Sequence, residues 1–423
     1  MKPGRTYLDY NASAPLLPEA REAMLAALAL DGNPSSVHAE GRRLRSMIEQ
    51  ARADVAALCG AGPAEVVFTS GASEANATVL QSGFDIALRP AVEHDSVLAP
   101  ITRGGATVVE LPVTHEGIVD LAAIARALDA LPDGARAVIA LQLANNETGV
   151  IQPVAAVAKL VRDRLSSTGA PIAARRLHLH CDAVQAPGRM AIDAAALGVD
   201  TLVLSAHKIG GPKGAGALII RNGAAISPLI AGGGQERRRR AGTENVAAIV
   251  GFGAAARVAL GSVAETSRMA VLRDRLEAGI RAVTPDAVVI GDGAPRLVNT
   301  SAIALPGLAA DILLIKFDLA GFAISSGSAC SSGKVGASHV LSAMGIDPTI
   351  ARAAIRVSLG TATTVADIER FIAAWRDITQ PSRANVPDRT DPLTPATPII
   401  MYAAMAAPTE SVGPVRLKSS GGR

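Results

Sequence analysis

Helical stretches alternate with short apolar runs from about Pro18 to Gly253, and this alternation constrains the fold of the chain most strongly. Apolar residues at helical spacing predict helices over residues 18–30 and 44–58. Four apolar runs, each followed by a polar loop, predict strands over residues 66–68, 137–143, 177–180 and 201–204. Repeated strand, loop and helix favour a mostly parallel sheet, and ligands of such sheets bind beyond the carboxyl ends of the strands.

The pattern changes after roughly Ala254. A long charged helix is predicted over residues 266–282, followed by strands around Val288 and Ser301 and a helix near Asp311. We expect a smaller α+β domain that ends near Asp377. Residues 380–423 hold seven of the 25 prolines, which is typical of a disordered tail.

Composition and charge exclude several classes of protein. With 49% apolar and 19% charged residues the chain is neither disordered nor fibrous, and with 2% aromatic residues it lacks stacking surfaces for single-stranded nucleic acid. The net charge of +3 is too small to steer the molecule onto nucleic acid or an anionic membrane. We therefore expect neither as a partner.

Three scattered cysteines, Cys59, Cys181 and Cys330, form no C-x-x-C pair and are too few for a disulfide framework. The first eleven residues pass from basic residues to Asp9 without an apolar signal region. These features predict a cytoplasmic protein that is neither exported nor membrane-spanning.

The loop at residues 69–74, TSGASE, follows the predicted strand at Val66 and opens a predicted helix. A glycine turn before a helix directs free N–H groups and the positive end of the helix dipole at one point, which suits a phosphate. An ordinary Ser N-cap is the alternative interpretation of this loop.

Two further loops carry a lysine and an aspartate. Lys208 ends an apolar strand among a hydroxyl, an imidazole and glycines, so it is a candidate amine nucleophile, with a surface lysine as the alternative. Asp182 ends another strand 26 residues earlier, an interval of about one helix and one strand, so the two side chains can share one crevice. We expect no second lysine beside Asp182, because Lys213 lies beyond two glycines and a proline. The glycines after Lys208 do not match a nucleotide-binding P-loop.

A lysine for a Schiff base, a carboxylate for a pyridinium nitrogen and a phosphate cup are together the equipment of a pyridoxal phosphate enzyme. From Tyr7 to about Asp377 the chain also resembles cysteine desulfurases of the NifS/IscS group, in the class V aminotransferase family of fold-type I. The matching strings are LDYNASAP, GNPSSVH, FTSGASEAN, EHDSV, NNETG, CDAVQ, SAHKIGGPKG, GGGQERRRRAGTEN, SSGSACSSG and IRVSLG.

The resemblance implies a fold and a domain arrangement. A mostly parallel seven-stranded sheet is expected in a large cofactor-binding domain over residues 16–253. Residues 1–15 and 254–379 would form the small α+β domain, and residues 380–423 the proline-rich tail. The resemblance also implies a homodimer, and the run Arg237 to Arg240 would lie at the dimer interface and not on nucleic acid.

The resemblance also implies roles for individual residues. Lys208 would form the Schiff base, Asp182 would pair with the ring nitrogen, Gln185 and Asn146 would flank the ring hydroxyl, and His94 would stack on the ring and handle protons. The phosphate would contact Ala72, Ser73, Ser205, His207 and Thr243 of the partner subunit. The substrate carboxylate would contact Asn33, Asn146 and Arg356. His94 as a buried structural histidine and Asn33 as a turn cap remain open alternatives.

Cys330 lies in the glycine- and serine-rich stretch SSGSACSSG, which predicts a mobile, solvated loop. By the resemblance its thiolate would take sulfur from L-cysteine, which leaves L-alanine and a Cys330 persulfide for an iron–sulfur scaffold or another acceptor protein. No resident metal is expected, and only Cys330 would contact a transferred iron–sulfur cluster. The alternatives are another class V enzyme, such as a selenocysteine lyase or an aminotransferase, and a non-enzymatic protein that keeps the fold but binds no cofactor.

Overall fold

The computed structural model describes residues 4–167, 177–221, 223–327 and 338–384. The helices are α1 Pro18–Leu28, α2 Ala39–Leu58, α3 Ala72–Leu80, α4 Asp95–Gly104, α5 Leu121–Asp129, α6 Val154–Ser167, α7 Ala194–Leu197, α8 Val246–Ser262, α9 Thr266–Val283, α10 Ala310–Leu319, α11 His339–Ala343, α12 Pro348–Ala353 and α13 Val365–Ala384. The strands are β1 Thr6–Tyr7, β2 Val66–Thr69, β3 Ile86–Pro90, β4 Thr107–Leu111, β5 Ala137–Gln142, β6 Leu177–Asp182, β7 Thr201–Ser205, β8 Gly216–Ile220, β9 Val288–Val289, β10 Thr300–Ala304, β11 Phe322–Ala323, β12 Ser325–Ser326 and β13 Ala354–Ser358.

A seven-stranded sheet in the order β2-β8-β7-β6-β5-β3-β4 forms the centre of the larger part of the fold. Strand β8 runs antiparallel to both of its neighbours, and the other pairs are parallel. The mostly parallel seven-stranded sheet is therefore confirmed. The carboxyl ends of β5, β6 and β7 lie side by side, because these strands are neighbours and run in one direction.

Both faces of this sheet are covered by apolar side chains, as parallel strands between helices require. All six residues of β5 are buried. One core cluster includes Val55 of α2 and Phe252 of α8, and the other includes Val79 of α3 and Ile101 of α4. The strand ends are thereby held on a rigid layer, which fixes the loops that follow them.

A second sheet is antiparallel, in the order β12-β13-β10-β9, and β1 pairs separately with β11. Its helices pack around Phe317, Phe371 and Trp375, and the rings of Phe317 and Phe371 are stacked with centroids 4.5 Å apart. The indole of Trp375 donates to Thr284 Oγ1 at 2.9 Å, so this buried N–H has a partner.

The boundaries of the predicted large and small domains stay a prediction. Helix α13 continues past Pro381 to Ala384, so residues 380–384 of the predicted tail are helical. The rest of that tail lies outside the described residues.

By length and composition alone, the helical stretch Val246–Val283 could cross a membrane, and half of its apolar window is buried inside the protein. The core helix of a soluble protein passes the same test, so this stretch is weak evidence for a membrane span.

Candidate active site

A cavity of about 590 Å³ opens at the carboxyl ends of β5, β6 and β7. It lies beside the turn between β2 and α3, and its volume is typical of ligand pockets, which occupy roughly 300–1,000 Å³. Its walls are formed by Asn11, Ala12, Ser13, Ser70, Gly71, Ala72, Ser73, Glu74, His94, Ser96, Gln142, Ala144, Asn146, Asp182, Val184, Gln185, Ser205, His207, Lys208, Lys213, Gly214 and Arg356.

Lys208 ends a short 3-10 turn, Ala206–Lys208, directly after β7. Its Nζ donates to the carbonyl oxygens of Asn11 at 2.6 Å and Ala12 at 3.0 Å. The N-terminal segment thus orients the amine at the cavity. The expectation of a single lysine beside Asp182 was wrong, because exposed Lys213 also lines the cavity. The chain turns back at Gly210 and Gly214, whose φ angles of 81° and 80° are left-handed.

Asp182 is the last residue of β6 and is 9% exposed. One carboxylate oxygen accepts from the backbone N–H of Val184 at 3.0 Å, and the other accepts from Asn76 Nδ2 at 2.9 Å. Each oxygen keeps a further lone pair. The prediction that Asp182 and Lys208 share one crevice at neighbouring strands is confirmed.

The N-terminus of α3 forms one end of the cavity. Its N-cap residue, Gly71, provides no side-chain cap, so the first N–H groups of the helix remain available to an anion. The ordinary Ser N-cap is therefore not the arrangement found. Strand β8 packs closely against the turn at Gly71, and only a glycine fits at Gly216, since a Cβ there would lie 2.7 Å from Gly71 Cα. Ala72 and Ser73 line the cavity here.

Ser205 and His207 line the cavity near Lys208. Burial, helped by the positive charges of Lys208 and Lys213, lowers the pKa of His207 to about 4. His207 is therefore neutral at neutral pH, and its Nδ1 lies 3.3 Å from Ser13 Oγ. A neutral imidazole can donate one hydrogen bond to an anion without adding charge.

His94, Asn146 and Gln185 also line the cavity. His94 is the N-cap of α4, and its Nδ1 accepts from the Ser96 N–H at 3.1 Å. Gln185 donates to the carbonyl oxygen of Asn11 at 3.1 Å, while buried Arg189 donates to Gln185 Oε1. These contacts fix which end of the Gln185 amide carries the donor.

Arg356 comes from β13 of the second sheet and is 2% exposed. Its Nη2 donates to Asp9 Oδ1 at 2.8 Å, and its Nη1 donates to the carbonyl oxygen of Asn146 at 3.1 Å. Among the described residues no partner accepts from its buried Nε. A cavity-lining guanidinium with an unused donor suits a substrate carboxylate.

Two predicted residues, Asn33 and Thr243, do not line this cavity, and a third, Cys330, lies outside the described residues. Asn33 is exposed, and its Oδ1 accepts from the Ser35 N–H at 2.8 Å, which favours the turn-cap interpretation. Thr243 is exposed and does not line the cavity of its own chain. Cys330 lies outside the described residues, as does its loop from 328 to 337.

Sequence reasoning missed several buried polar residues next to the site. Asn76 and His180 are completely buried behind Asp182. The signal for His180 is the period-two pattern LHLHCD in β6, which places polar residues at every second position of a buried strand. Burial also raises the pKa of Glu147 to about 7, and this carboxyl accepts from Ser338 Oγ at 2.6 Å.

The residues present fit pyridoxal phosphate, the cofactor that the sequence implies. The uncapped helix N-terminus and neutral His207 suit its phosphate, Asp182 suits its ring nitrogen, and the Lys208 amine lies in the same cavity. Within the described ranges no group of three His, Cys, Asp or Glu side chains could hold a metal ion.

Comparisons with known proteins identify the family of the chain. The sequence model of the family described as Aminotransferase class-V matches residues 6–371. A cysteine desulfurase of Cereibacter sphaeroides is 42% identical over 90% of this chain and 98% of its own length. An IscS-like cysteine desulfurase of Mycobacterium tuberculosis is 38% identical over 86% of this chain and 93% of its own.

Solved structures point to the same family. A NifS-like protein from Rickettsia africae superposes with a TM-score of 0.80 at 33% identity and covers 88% of this chain and 99% of its own. A structure described as SspA in complex with cysteine gives a TM-score of 0.69 at 29% identity, with 84% and 98% covered. Members of this family depend on pyridoxal phosphate. The chain therefore belongs to the class V aminotransferase family.

Proposed function

We propose that this protein is a cysteine desulfurase, which converts L-cysteine to L-alanine and keeps the sulfur as a persulfide on Cys330. The observation that carries the proposal is the convergence of Lys208, Asp182 and the α3 N-terminus on one cavity. It is supported by 42% identity over most of the chain to a relative of that name.

When bound, pyridoxal phosphate supplies an electron sink for charge at the substrate α carbon. The cofactor would be held by the α3 N-terminus at Ala72 and Ser73, with Ser205 and His207 at the phosphate. Asp182 would face the ring nitrogen, and His94, Asn146 and Gln185 would surround the ring. The Lys208 amine, oriented by two backbone carbonyls, would hold the cofactor covalently and accept the substrate α proton.

Arg356 orients the substrate. Its guanidinium is fixed at the cavity wall by Asp9 and by the Asn146 carbonyl oxygen, and there it would meet the carboxylate of L-cysteine. Since Asn33 is exposed and caps a turn in this chain, its proposed contact with the substrate carboxylate rests on the family resemblance alone.

The sulfur step transfers the sulfur atom of L-cysteine from its β carbon to the Cys330 thiolate. The Cys330 thiolate attacks the sulfur of L-cysteine, a sulfur–sulfur bond forms, and the carbon–sulfur bond breaks. The electron pair of that bond stays on carbon, which takes up a proton as L-alanine forms. The products are one alanine and one persulfide for each cysteine consumed.

The same proposal includes a homodimer, an acceptor protein and a compartment. Thr243 would contact the phosphate in the other subunit, and its exposure outside its own cavity supports this arrangement. The ion pair between Arg240 and Glu74 at 2.9 Å ties the segment before Thr243 to the first turn of α3. The persulfide would pass to an iron–sulfur scaffold or another acceptor, in a reducing cytoplasm that keeps the Cys330 thiol available.

Incubation with L-cysteine tests the proposal. Alanine and protein-bound persulfide should appear in equal amounts in a single turnover, with the persulfide on the peptide that contains Cys330. Amino-group transfer to a keto acid would favour an aminotransferase instead. Turnover restricted to selenocysteine would favour a lyase, and a chain without visible cofactor absorbance would favour a non-enzymatic role.

A further inference from the structure

Strand β6 carries polar side chains on one face along its length. His178, His180 and Asp182 alternate with Leu179 and Cys181, which belong to the apolar core on the other face. The two histidines are almost completely buried and do not line the cavity. No step of the proposed reaction uses them.

A continuous chain of hydrogen bonds joins these histidines to Asp182. His178 Nε2 and His180 Nδ1 both lie 2.8 Å from Thr201 Oγ1. His180 Nε2 lies 2.9 Å from Asn76 Oδ1, and Asn76 Nδ2 donates to Asp182 Oδ2 at 2.9 Å. Thr201 stands opposite His180 in the parallel β6–β7 pair, so the strand register itself brings these groups together.

The donor and acceptor of each hydrogen bond in this chain can be assigned in turn, starting from Asp182. An ionised carboxylate only accepts, so Asn76 presents its amide nitrogen to Asp182 and its oxygen to His180. That oxygen requires a proton on His180 Nε2. Burial and the neighbouring His178 lower the pKa of His180 to about 3, so the ring is neutral and its Nδ1 accepts from the Thr201 hydroxyl. The Thr201 oxygen in turn accepts from His178 Nε2–H.

All donors therefore point towards Asp182. Aligned hydrogen bonds polarise one another in a buried environment, so the Asn76 N–H becomes a stronger donor to the carboxylate. This effect strengthens the hydrogen bond to Asp182 and fixes the orientation of the carboxylate without placing a second charge beside it.

We propose that His178, Thr201, His180 and Asn76 form a donor chain that positions Asp182 for the ring nitrogen of the cofactor. Thr201 and His180 are then positioning residues, although neither lines the cavity. The inference rests on the proposed use of pyridoxal phosphate and names how this chain prepares the residue that meets its ring.

The test compares two ligands on the same variants. Thr201→Val keeps the shape of the side chain but removes the hydroxyl, and Thr201→Ser is the matched control that keeps it. Each cofactor-free protein is titrated with pyridoxal phosphate and with the analogue whose ring nitrogen is replaced by carbon. Both ligands retain the aldehyde and the phosphate, so only the contact with Asp182 differs between them.

Thr201→Val should lower the affinity for pyridoxal phosphate about three- to tenfold and the affinity for the carbon analogue less than twofold. Thr201→Ser should bind both ligands as the wild type does. Asn76→Ala removes the side chain that donates directly to Asp182. It should lower the affinity for pyridoxal phosphate more strongly, by about ten- to a hundredfold. The unfolding midpoint of each cofactor-free variant shows whether that variant folds. If one of Thr201→Val and Asn76→Ala fails to fold, the ligand affinities of the other test the inference.

Equal weakening of both ligands would mean that the chain only supports the local structure, and the inference would be overturned. Unchanged affinity for pyridoxal phosphate in both variants would also overturn it, while the proposed function would stand. A wild-type protein that binds neither ligand would overturn the proposed function together with this inference.

Discussion

Replacing His180 by glutamine should remove a specific acid sensitivity of the protein. A glutamine amide can still donate to Asn76 but does not titrate. Burial, followed by the charge of His178, lowers the pKa of His180 from 6.5 to about 3. Above pH 6.5 this imidazole is neutral in both states, and between pH 6.5 and about 3 only the unfolded chain binds the proton.

The wild type therefore loses stability as the pH falls through this window. The loss is about 1.4 kcal/mol in the free energy of unfolding per pH unit, or about 2 kcal/mol at about pH 5. The free-energy difference between wild type and His180→Gln should shrink by that amount when the pH is lowered from about 7.5 to about 5.

Urea unfolding followed by circular dichroism at the two pH values measures this difference. His115→Gln serves as the control for loss of an exposed imidazole, because His115 is exposed. A wild-type-to-variant difference that is equal at both pH values would refute the neutral, buried state of His180.

Three further experiments test the cavity and its completion by a second subunit. Lys208→Ala should abolish borohydride trapping of the cofactor on the chain, while Lys213→Ala, at the exposed rim, should retain it; label mapped to Lys213 would contradict the assignment. Arg356→Lys should raise KM for L-cysteine about ten- to a hundredfold with a smaller change in kcat, because a charge-assisted contact to the carboxylate is lost, and an unchanged KM would exclude that contact. Thr243→Ala and Lys208→Ala subunits, each weak alone, should regain activity in mixed dimers, and a strictly monomeric protein at micromolar concentration would contradict this.

The loops that carry the site could be predicted because their signals are local. An apolar run that ends in a polar residue marks the end of a strand, and this pattern predicts that Asp182 and Lys208 lie at strand ends. Parallel pairing of β6 with β7 then places the two residues at one edge of the sheet. The turn at Gly71 could also be predicted from a local pattern, because it follows the apolar run of β2.

The contacts that complete the site could not be predicted, because they join distant parts of the chain. Asp9 and Arg356 are 347 positions apart, and no periodicity links them. Lys213 lines the cavity from a turn in which Gly210 and Gly214 have left-handed φ angles. Residues 39–43 at the start of α2 were missed as well; this end of the helix is capped by His38, whose Nδ1 accepts from the Gly41 N–H at 3.4 Å.

A single turnover with Cys330→Ser tests the central claim most directly, and Cys59→Ser is its control. Burial raises the pKa of Cys59 to about 12, and its Sγ donates to the Val55 carbonyl oxygen at 3.4 Å, a contact that serine can keep. Cys59→Ser should form alanine and persulfide from L-cysteine as the wild type does. Cys330→Ser should bind the cofactor with an unchanged visible spectrum, form no persulfide and make alanine about a hundredfold more slowly or less, because serine cannot accept the sulfur. Alanine formation by Cys330→Ser at near the wild-type rate would contradict the desulfurase mechanism.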